Sequence, residues 1–226
     1  MAVETGVSLT DLASYQQKVG YSLDGIGKVY MGREIAQVMG NQGAGWLERP
    51  QRASSERPDR LVEALGLRHT DVVADIGAGT GYMSFRMIPY LPQGKVLAID
   101  LQPEMVEILN DFKQARQVDN LEAILGKETG PQLPPNSLDL VLMVDAYHEF
   151  AYPREMMSSI VQALKPGGRV VLAEYRAENP LVLIKPLHKM SQKQVRKEMQ
   201  AVGLTWQETK KLLPQQHLMF FQAPVS

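Results

Sequence analysis

The chain has 226 residues, a formal net charge of −1 and no cysteine. This length suits one large domain, or one domain with an N-terminal extension, and it buries enough surface to fold without covalent cross-links. The charge balance gives no electrostatic signature for nucleic acid or acidic lipid. The lack of cysteine excludes disulfides, thiolate metal sites and a cysteine nucleophile.

The N-terminus lacks the basic and apolar regions of a signal peptide. No apolar run approaches the roughly 20 residues that a membrane span needs. We therefore expect a cytoplasmic protein without a membrane span. A leader removed ahead of Met1 would leave the same sequence, so this expectation applies to the chain as given.

Residues 1–70 predict a helical N-terminal extension without strands. A helix is expected at 10–18, a second at 26–39 from apolar residues at helical spacing, and a third at 58–66, where a proline starts and a glycine ends the pattern. We assign this extension as one unit and residues 71–226 as the main domain.

The stretch 26–52 combines glycine-rich loops with aromatic and basic side chains, and it is too apolar for a disordered tail. It is either a flap that covers one sheet edge or a lid that closes on a ligand. We take Trp46 and Arg49 as candidate substrate contacts from this stretch.

From residue 71 onward, short apolar runs alternate with helical patterns. Strands are predicted at 71–76, 95–100, 121–125, 138–144 and 168–175, and helices at 81–90, 103–117 and 152–164. A capped helix at 191–202 and two strands at 204–213 and 216–222 complete the domain. This order predicts an α/β fold with a parallel sheet covered on both faces.

The most informative stretch is Asp75-Ile76-Gly77-Ala78-Gly79-Thr80-Gly81, where a buried strand ends in an acid and three alternating glycines follow. The glycines let a ligand approach the main chain. Ligands of open parallel sheets bind at the carboxyl ends of the strands, where the strand order reverses. Asp100, which ends the next strand, can accept both hydroxyls of a ribose. The charge of Asp75 disfavours a pyrophosphate and favours an ammonium or sulfonium group.

Together with Leu164-Lys165-Pro166-Gly167-Gly168, these motifs resemble the class I S-adenosylmethionine-dependent methyltransferases. The closest similarity is to the small-molecule branch that includes the ubiquinone/menaquinone methyltransferases, over residues 70–225. The resemblance implies S-adenosyl-L-methionine as cofactor. It also implies a Rossmann-like, seven-stranded, mostly parallel sheet with helices on both faces and an antiparallel last strand.

The resemblance also implies roles for individual residues. Asp100 would bind the ribose, and Leu101 and Gln102 would flank the adenine. Glu128 is the nearest candidate for the adenine amino group, on a loose match. The cofactor contacts implied are Asp75, Gly77, Ala78, Gly79, Gly81, Asp100, Leu101, Gln102, Glu128 and Asp145.

The segment after the fourth predicted strand should lie beside the sulfonium. It lacks the Asn/Asp-Pro-Pro-Tyr motif of enzymes that methylate planar nitrogens, so we do not expect nucleic-acid substrates. His148, oriented by a carboxylate and beside Glu149, is a candidate general base. It is alternatively a structural histidine or a substrate contact. We expect no metal, because no second histidine lies at ligand spacing.

Further candidate substrate contacts are Tyr147, Glu174, Arg176 and His188. The apolar connection 181–190 is either a substrate lid or a packed helix. We predict methyl transfer to an oxygen, nitrogen or carbon atom of a small molecule. The alternatives are a protein or peptide methyltransferase, a nicotinamide oxidoreductase and a non-catalytic S-adenosylmethionine-binding protein. The sequence does not predict the oligomeric state.

Overall fold

A computed structural model describes residues 15–225. Its strands are β1 (Tyr15–Gln17), β2 (Gly25–Tyr30), β3 (Arg33–Ala36), β4 (Val72–Ile76), β5 (Lys95–Asp100), β6 (Leu121–Leu125), β7 (Leu138–Val144), β8 (Leu164–Tyr175), β9 (Thr205–Lys210) and β10 (Gln216–Gln222). Its α-helices are α1 (Ala44–Leu47), α2 (Arg52–Glu56), α3 (Pro58–Leu65), α4 (Ser84–Met87), α5 (Pro103–Ala115), α6 (Pro153–Ala163) and α7 (Gln192–Ala201).

The main sheet has seven strands in the order β6-β5-β4-β7-β8-β10-β9. The pairs among β4 to β8 are parallel, whereas β10 runs antiparallel to both β8 and β9. This confirms the predicted fold class. The chain moves outward in one direction from β4 and in the other from β7, so the strand order reverses between these two neighbours. This is the switch point at which such sheets bind ligands.

Helices cover both faces of this sheet, as predicted. The buried side chains of α6 and α7 pack on one face, and those of α3 and α4 pack on the other. Three of the helices begin with a proline, whose fixed φ suits the first turn and whose missing N–H costs no hydrogen bond there. Ser191 caps α7 by accepting a hydrogen bond from the Gln194 N–H.

The helix predicted at 81–90 is shorter than expected. Only Ser84–Met87 is α-helical, and a 3₁₀ turn at Ile88–Tyr90 follows. Gly81 has a φ of 83°, so the chain is still turning there and cannot yet be helical. The prediction correctly located the strand–turn–helix unit but placed its helix too early.

The helix predicted at 26–39 is wrong, because these residues form a β-hairpin. Strands β1, β2 and β3 make a separate antiparallel sheet, with Tyr30 paired to Arg33 across a two-residue turn. Met31 and Gly32 both have positive φ, which suits the right-handed twist of a hairpin. Residues 15–17 of the helix predicted at 10–18 are strand β1, and residues 10–14 lie outside the described residues. The helix predicted at 58–66 is confirmed as α3.

A buried ion pair fixes the N-terminal sheet to the main domain. Arg33 donates from Nε and Nη2 to the two carboxylate oxygens of Glu198 at 2.9 and 3.0 Å. Its Nη1 donates to the carbonyl of His148 at 3.0 Å. Lys28 donates to the carbonyl of Ala151 at 2.9 Å. The hairpin is therefore tied to α7 and to the segment after β7, next to the switch point.

None of the helices between Tyr15 and Val225 combines the length and the apolar character that a membrane crossing requires.

Candidate active site

A cavity of about 630 Å³ lies at the carboxyl ends of β4, β5 and β7. Its floor is the glycine turn together with the segments that follow β5 and β7. Residues of the N-terminal segment and of the connection after β8 form its other walls. These walls contain Asp24, Val38, Met39, Trp46, Leu47, Arg49, Arg52, Glu56, Leu183, Ile184, Lys185 and His188.

The glycine turn is held against the end of β5 by its own backbone. The N–H groups of Gly77 and Ala78 both donate to the carbonyl of Ile99, at 2.9 and 3.0 Å. Gly77 has a φ of 73°, and a Cβ there would lie 2.7 Å from the Cβ of Ala146. A side chain at this position would therefore strain the turn and crowd the segment after β7.

Asp100 fastens the same turn from the side. Its Oδ2 accepts a hydrogen bond from the Gly79 N–H at 2.8 Å, and its Oδ1 accepts one from the Gln102 N–H at 3.0 Å. Burial raises the pKa of Asp100, and these donors oppose that rise. Asp100 also lines the cavity, so it both positions the turn and is placed where it can contact a ligand.

Asp145 is a buried carboxyl group in which only one oxygen accepts a hydrogen bond from the described residues. Its Oδ2 accepts a hydrogen bond from Gln216 Nε2 at 2.6 Å, while Oδ1 has no hydrogen-bond partner among residues 15–225. Burial, followed by the charges of Glu56 and Glu174, raises the pKa of Asp145 well above its usual range. A cationic group in the cavity would satisfy Oδ1 and stabilise the ionised form. The sulfonium and ammonium groups of S-adenosylmethionine fit this requirement.

Two arginines of the N-terminal segment, Arg49 and Arg52, pair with Glu56 at the cavity wall. Arg52 Nε donates to Glu56 Oε2 at 2.7 Å, and Glu56 Oε1 is shared between Arg49 and the Tyr175 hydroxyl. The guanidinium of Arg49 lies 3.7 Å from the ring centroid of Trp46. Two cations against one carboxylate leave positive charge at the wall, which suits a carboxylate ligand.

The His148 ring lies between the carboxylate of Glu174 and the ring of His188. Its Nδ1 lies 2.6 Å from Glu174 Oε2, and Glu174 Oε1 accepts the N–H of Tyr147 at 3.0 Å. The other ring nitrogen, Nε2, lies 3.0 Å from Nδ1 of His188. The carboxylate that orients the ring is therefore Glu174, and the adjacent Glu149 lies on the Nε2 side. Contact with Glu149 raises the pKa of His188, although burial opposes the shift.

The structure brings most of the predicted cofactor residues to the cavity. Gly77, Gly79, Asp100, Leu101, Gln102 and Asp145 line it. Asp75, Ala78, Gly81 and Glu128 are not among the lining residues. The carboxylate of Asp75 is buried and accepts a hydrogen bond from Ser84 Oγ at 2.6 Å. Glu128 is exposed on the loop after β6.

The predicted catalytic pair His148 and Glu149 lines the cavity, as do the predicted substrate residues Trp46, Arg49 and His188. The remaining three substrate candidates do not. Tyr147 is a core side chain whose hydroxyl donates to Glu198 at 2.7 Å. Glu174 lies behind His148, and Arg176 donates to the carbonyls of Leu213 and Pro214.

Sequence reasoning missed Asp24, Glu56 and Tyr175, all of which line the cavity. The spacing of Arg52 and Glu56 is the i, i+4 pattern of a helical ion pair, and it was a usable signal. Asp24 gave no such signal, since a tertiary contact brings it to Lys185.

Three comparisons with known proteins agree on the domain type. Residues 74–170 match the family model described as a methyltransferase domain. An uncharacterised methyltransferase of Bacillus subtilis, YcgJ, is 28% identical over 131 residues, which are 58% of this chain and 51% of that protein. The chain contains a class I S-adenosylmethionine-dependent methyltransferase domain. The cofactor of this domain is S-adenosyl-L-methionine.

The ubiquinone/menaquinone biosynthesis C-methyltransferase UbiE of Pseudomonas putida strain GB-1 is 28% identical over 116 residues, 50% of this chain and 45% of that protein. The chain thus spans about half the length of the curated relatives it matches. The crystal structure of a SAM dependent methyltransferase from Aquifex aeolicus has the same fold, with a TM-score of 0.77 and 21% identity. That similarity covers 82% of this chain and 99% of the other.

Proposed function

We propose that this protein transfers the methyl group of S-adenosylmethionine to a small-molecule acceptor that binds in the same cavity. The observation that carries the proposal is the composition of that cavity. It joins the glycine turn and Asp100 on one side with His148 and His188 on the other. Its volume of about 630 Å³ lies within the roughly 300–1,000 Å³ typical of small-molecule sites.

In this proposal the cofactor lies along the strand ends and supplies an electrophilic methyl group. Asp100 binds the ribose hydroxyls, and Leu101 and Gln102 border the adenine. Asp145 neutralises the cationic end of the cofactor. Arg49 and Arg52 bind its carboxylate. The predicted contact of Asp75 with the cofactor becomes an indirect one, through the turn that Asp75 and Ser84 support.

The acceptor occupies the space between the histidines and the apolar walls. Val38, Met39, Phe150, Leu183 and Ile184 supply apolar surface there. Binding both reactants in one cavity contributes by proximity and orientation, which can supply about 7–11 kcal/mol. An acceptor with an O–H or N–H group also needs a base, and His148 Nε2 is the candidate because Glu174 holds the opposite nitrogen.

Walls on several sides favour a small molecule over a protein side chain. The N-terminal segment contributes Met39 and Trp46, and the connection after β8 contributes Leu183 and His188. An acceptor must therefore fit between these elements. The name of UbiE, which refers to ubiquinone and menaquinone biosynthesis, supports acceptors of small size.

The test is release of S-adenosylhomocysteine from S-adenosylmethionine in the presence of a panel of phenols, hydroquinones, amines and carbon acids. We expect acceptor-dependent release that the Asp100→Ala variant strongly lowers when S-adenosylmethionine is not saturating. A radiolabelled methyl group would then be recovered in the small-molecule fraction. Recovery of the label only in protein would support the peptide methyltransferase alternative. Binding of the cofactor without release of S-adenosylhomocysteine for any acceptor of the panel would support a non-catalytic binding protein.

A further inference from the structure

We propose that His148, Glu149 and His188 together bind a divalent transition-metal ion at the cavity wall. Three atoms converge there: His148 Nε2, His188 Nδ1 and Glu149 Oε1. The two nitrogens are 3.0 Å apart, and the oxygen lies 3.3 Å from His188 Nδ1 and 3.8 Å from His148 Nε2. All three residues line the cavity.

These separations fit a bound ion. The centre of a triangle with sides of 3.0, 3.3 and 3.8 Å lies about 2.0 Å from each corner, which agrees with the ~2.0–2.2 Å that zinc keeps to histidine nitrogen and carboxylate oxygen. An ion slightly above that plane would see the three ligands at angles between about 90° and 130°, which bracket the tetrahedral value.

A carboxylate lies beside the nitrogen of each ring that faces away from the other histidine. Glu174 lies 2.6 Å from His148 Nδ1, and Asp24 Oδ2 lies 3.1 Å from His188 Nε2. A carboxylate beside one ring nitrogen favours the proton on that nitrogen, as in carboxylate–histidine–metal triads. Both facing nitrogens then present lone pairs at 3.0 Å, and two lone pairs at that distance repel unless a proton or a metal ion lies between them.

Glu149 is positioned to supply the third ligand. Its Oε2 accepts the N–H of Met39 at 3.2 Å, so Oε1 is the oxygen turned toward the histidines. The two histidines converge although 40 residues separate them in the sequence, and Glu149 directly follows His148. Spacing along the chain therefore does not indicate this site, which only the fold assembles.

The donor set indicates the class of metal. Two imidazole nitrogens and one carboxylate suit Zn²⁺, Fe²⁺ or Co²⁺ rather than Mg²⁺ or Ca²⁺, which prefer oxygen ligands. Three protein ligands leave at least one position open toward the cavity, where an oxygen or nitrogen of the acceptor can bind. This use of the ion rests on the proposed methyl transfer, whereas binding of the ion does not. A metal ion and a proton from the acceptor would both bind the lone pair of His148 Nε2, so His148 cannot bind the ion and act as a general base at the same time.

The experiment uses the full chain freed of metal with EDTA. Titration with Co²⁺, followed by its visible absorption, should show one equivalent bound with a spectrum of low coordination number. His188→Ala and Glu149→Gln should each weaken binding by more than about 100-fold, beyond the 10–100-fold typical of losing an outer partner. His69→Ala is the matched control, because His69 is exposed and distant in sequence from the three ligands. Its affinity should equal that of the wild type.

Folding and cofactor binding are checked in the same preparations by circular dichroism and by calorimetric titration with S-adenosylhomocysteine. Glu174→Gln, which leaves all three ligands in place, should weaken Co²⁺ binding by about 10–100-fold. Absence of stoichiometric Co²⁺ and Zn²⁺ binding by folded wild-type protein overturns the metal site, as does equal affinity in the folded His188→Ala variant. Metal binding without binding of S-adenosylhomocysteine would instead contradict the proposed function alone.

Discussion

His148 Nδ1 lies 2.6 Å from Glu174 Oε2, and both side chains are almost fully buried. A carboxylate in this position fixes the orientation of the ring and leaves Nε2 toward the cavity. Glu174 does not line the cavity itself, so it acts through His148 as a positioning residue. The arrangement connects the end of β8 with the segment after β7 at the point where the methyl acceptor is expected.

We expect His148→Ala to lower kcat by at least about 100-fold, because general base catalysis is worth 10²–10⁴-fold. Glu174→Gln should also lower kcat, with the KM for S-adenosylmethionine little changed. Steady-state kinetics with an acceptor from the panel measure both effects, with His69→Ala as control. A parallel loss of kcat and of affinity for S-adenosylhomocysteine would show that the histidine is structural.

Asp100→Ala should weaken binding of S-adenosylhomocysteine by more than about 100-fold, because it removes the bonds to both ribose hydroxyls, and hydrogen bonds to a charged group are worth about 1.5–3 kcal/mol each. The variant also loses the hydrogen bonds that the carboxylate accepts from the N–H groups of Gly79 and Gln102, which position the glycine turn. Calorimetry gives the affinity. Glu128→Ala is the control, since Glu128 is exposed and does not line the cavity. A larger effect at Glu128 than at Asp100 would reverse their proposed roles.

Arg33→Met should lower the free energy of unfolding by about 3–5 kcal/mol, the usual cost of leaving one partner of a buried ion pair alone. The side chain of Arg33 is 9% exposed and that of Glu198 is 0% exposed. The double variant Arg33→Met, Glu198→Leu should recover only part of the loss, because the buried Tyr147 hydroxyl then lacks its acceptor. Arg57→Met, in the exposed pair with Asp59, should cost less than about 1 kcal/mol. Urea unfolding gives the free energy of unfolding of the wild type and the three variants. An equal loss in the Arg33 and Arg57 single variants would contradict the role of Arg33 in anchoring the hairpin.

Burial raises the pKa of Asp75 from 3.8 to about 6, although Ser84 and Arg52 oppose the shift. Since the folded state holds its proton more tightly, this group destabilises the fold as the pH rises from about 4 to 6, and the penalty is complete above that range. Asp75→Asn removes the charge and should therefore stabilise the protein at pH 7.5 by up to about 3 kcal/mol. The gain should be about half as large at pH 5.

The matched control for this pH dependence is Asp59→Asn. The Arg57 guanidinium lowers the pKa of Asp59 to about 2, so its carboxylate stabilises the folded state above the usual pKa, and loss of the charge should be mildly destabilising. Urea unfolding at both pH values gives the sign for each variant. A pH-independent effect of Asp75→Asn would contradict the assigned cause. Affinity of Asp75→Asn for S-adenosylhomocysteine near that of the wild type would support its indirect role.

The sequence predicts the main domain well because its signals are local. The strand that ends at Ile76, the glycine turn and the prolines that start the helices each specify their own backbone. The order of strands then follows from the family resemblance. The N-terminal hairpin was not predicted, because Ile26, Tyr30 and Ile35 also satisfy helical spacing, and the turn at Met31 carries no strong hairpin dipeptide.

The site was predicted less completely than the fold, for a different reason. Glycines and the acid that ends β5 occupy positions that the sheet topology dictates, so they could be assigned in advance. The contacts among His148, Glu174 and His188 come from three separate segments, and only tertiary packing brings them together. The role of Glu174 is an example, since the sequence placed it in contact with substrate and the structure places it behind the histidine.

The most direct test of the account is calorimetric titration of the wild-type protein with S-adenosylhomocysteine and, separately, with NAD⁺. The glycine turn, Asp100 and Asp145 Oδ1, which has no partner within the described part of the chain, predict stoichiometric binding of S-adenosylhomocysteine and no detectable binding of NAD⁺. Binding of NAD⁺ in preference, or no binding of S-adenosylhomocysteine by folded protein, would contradict the assignment of this cavity.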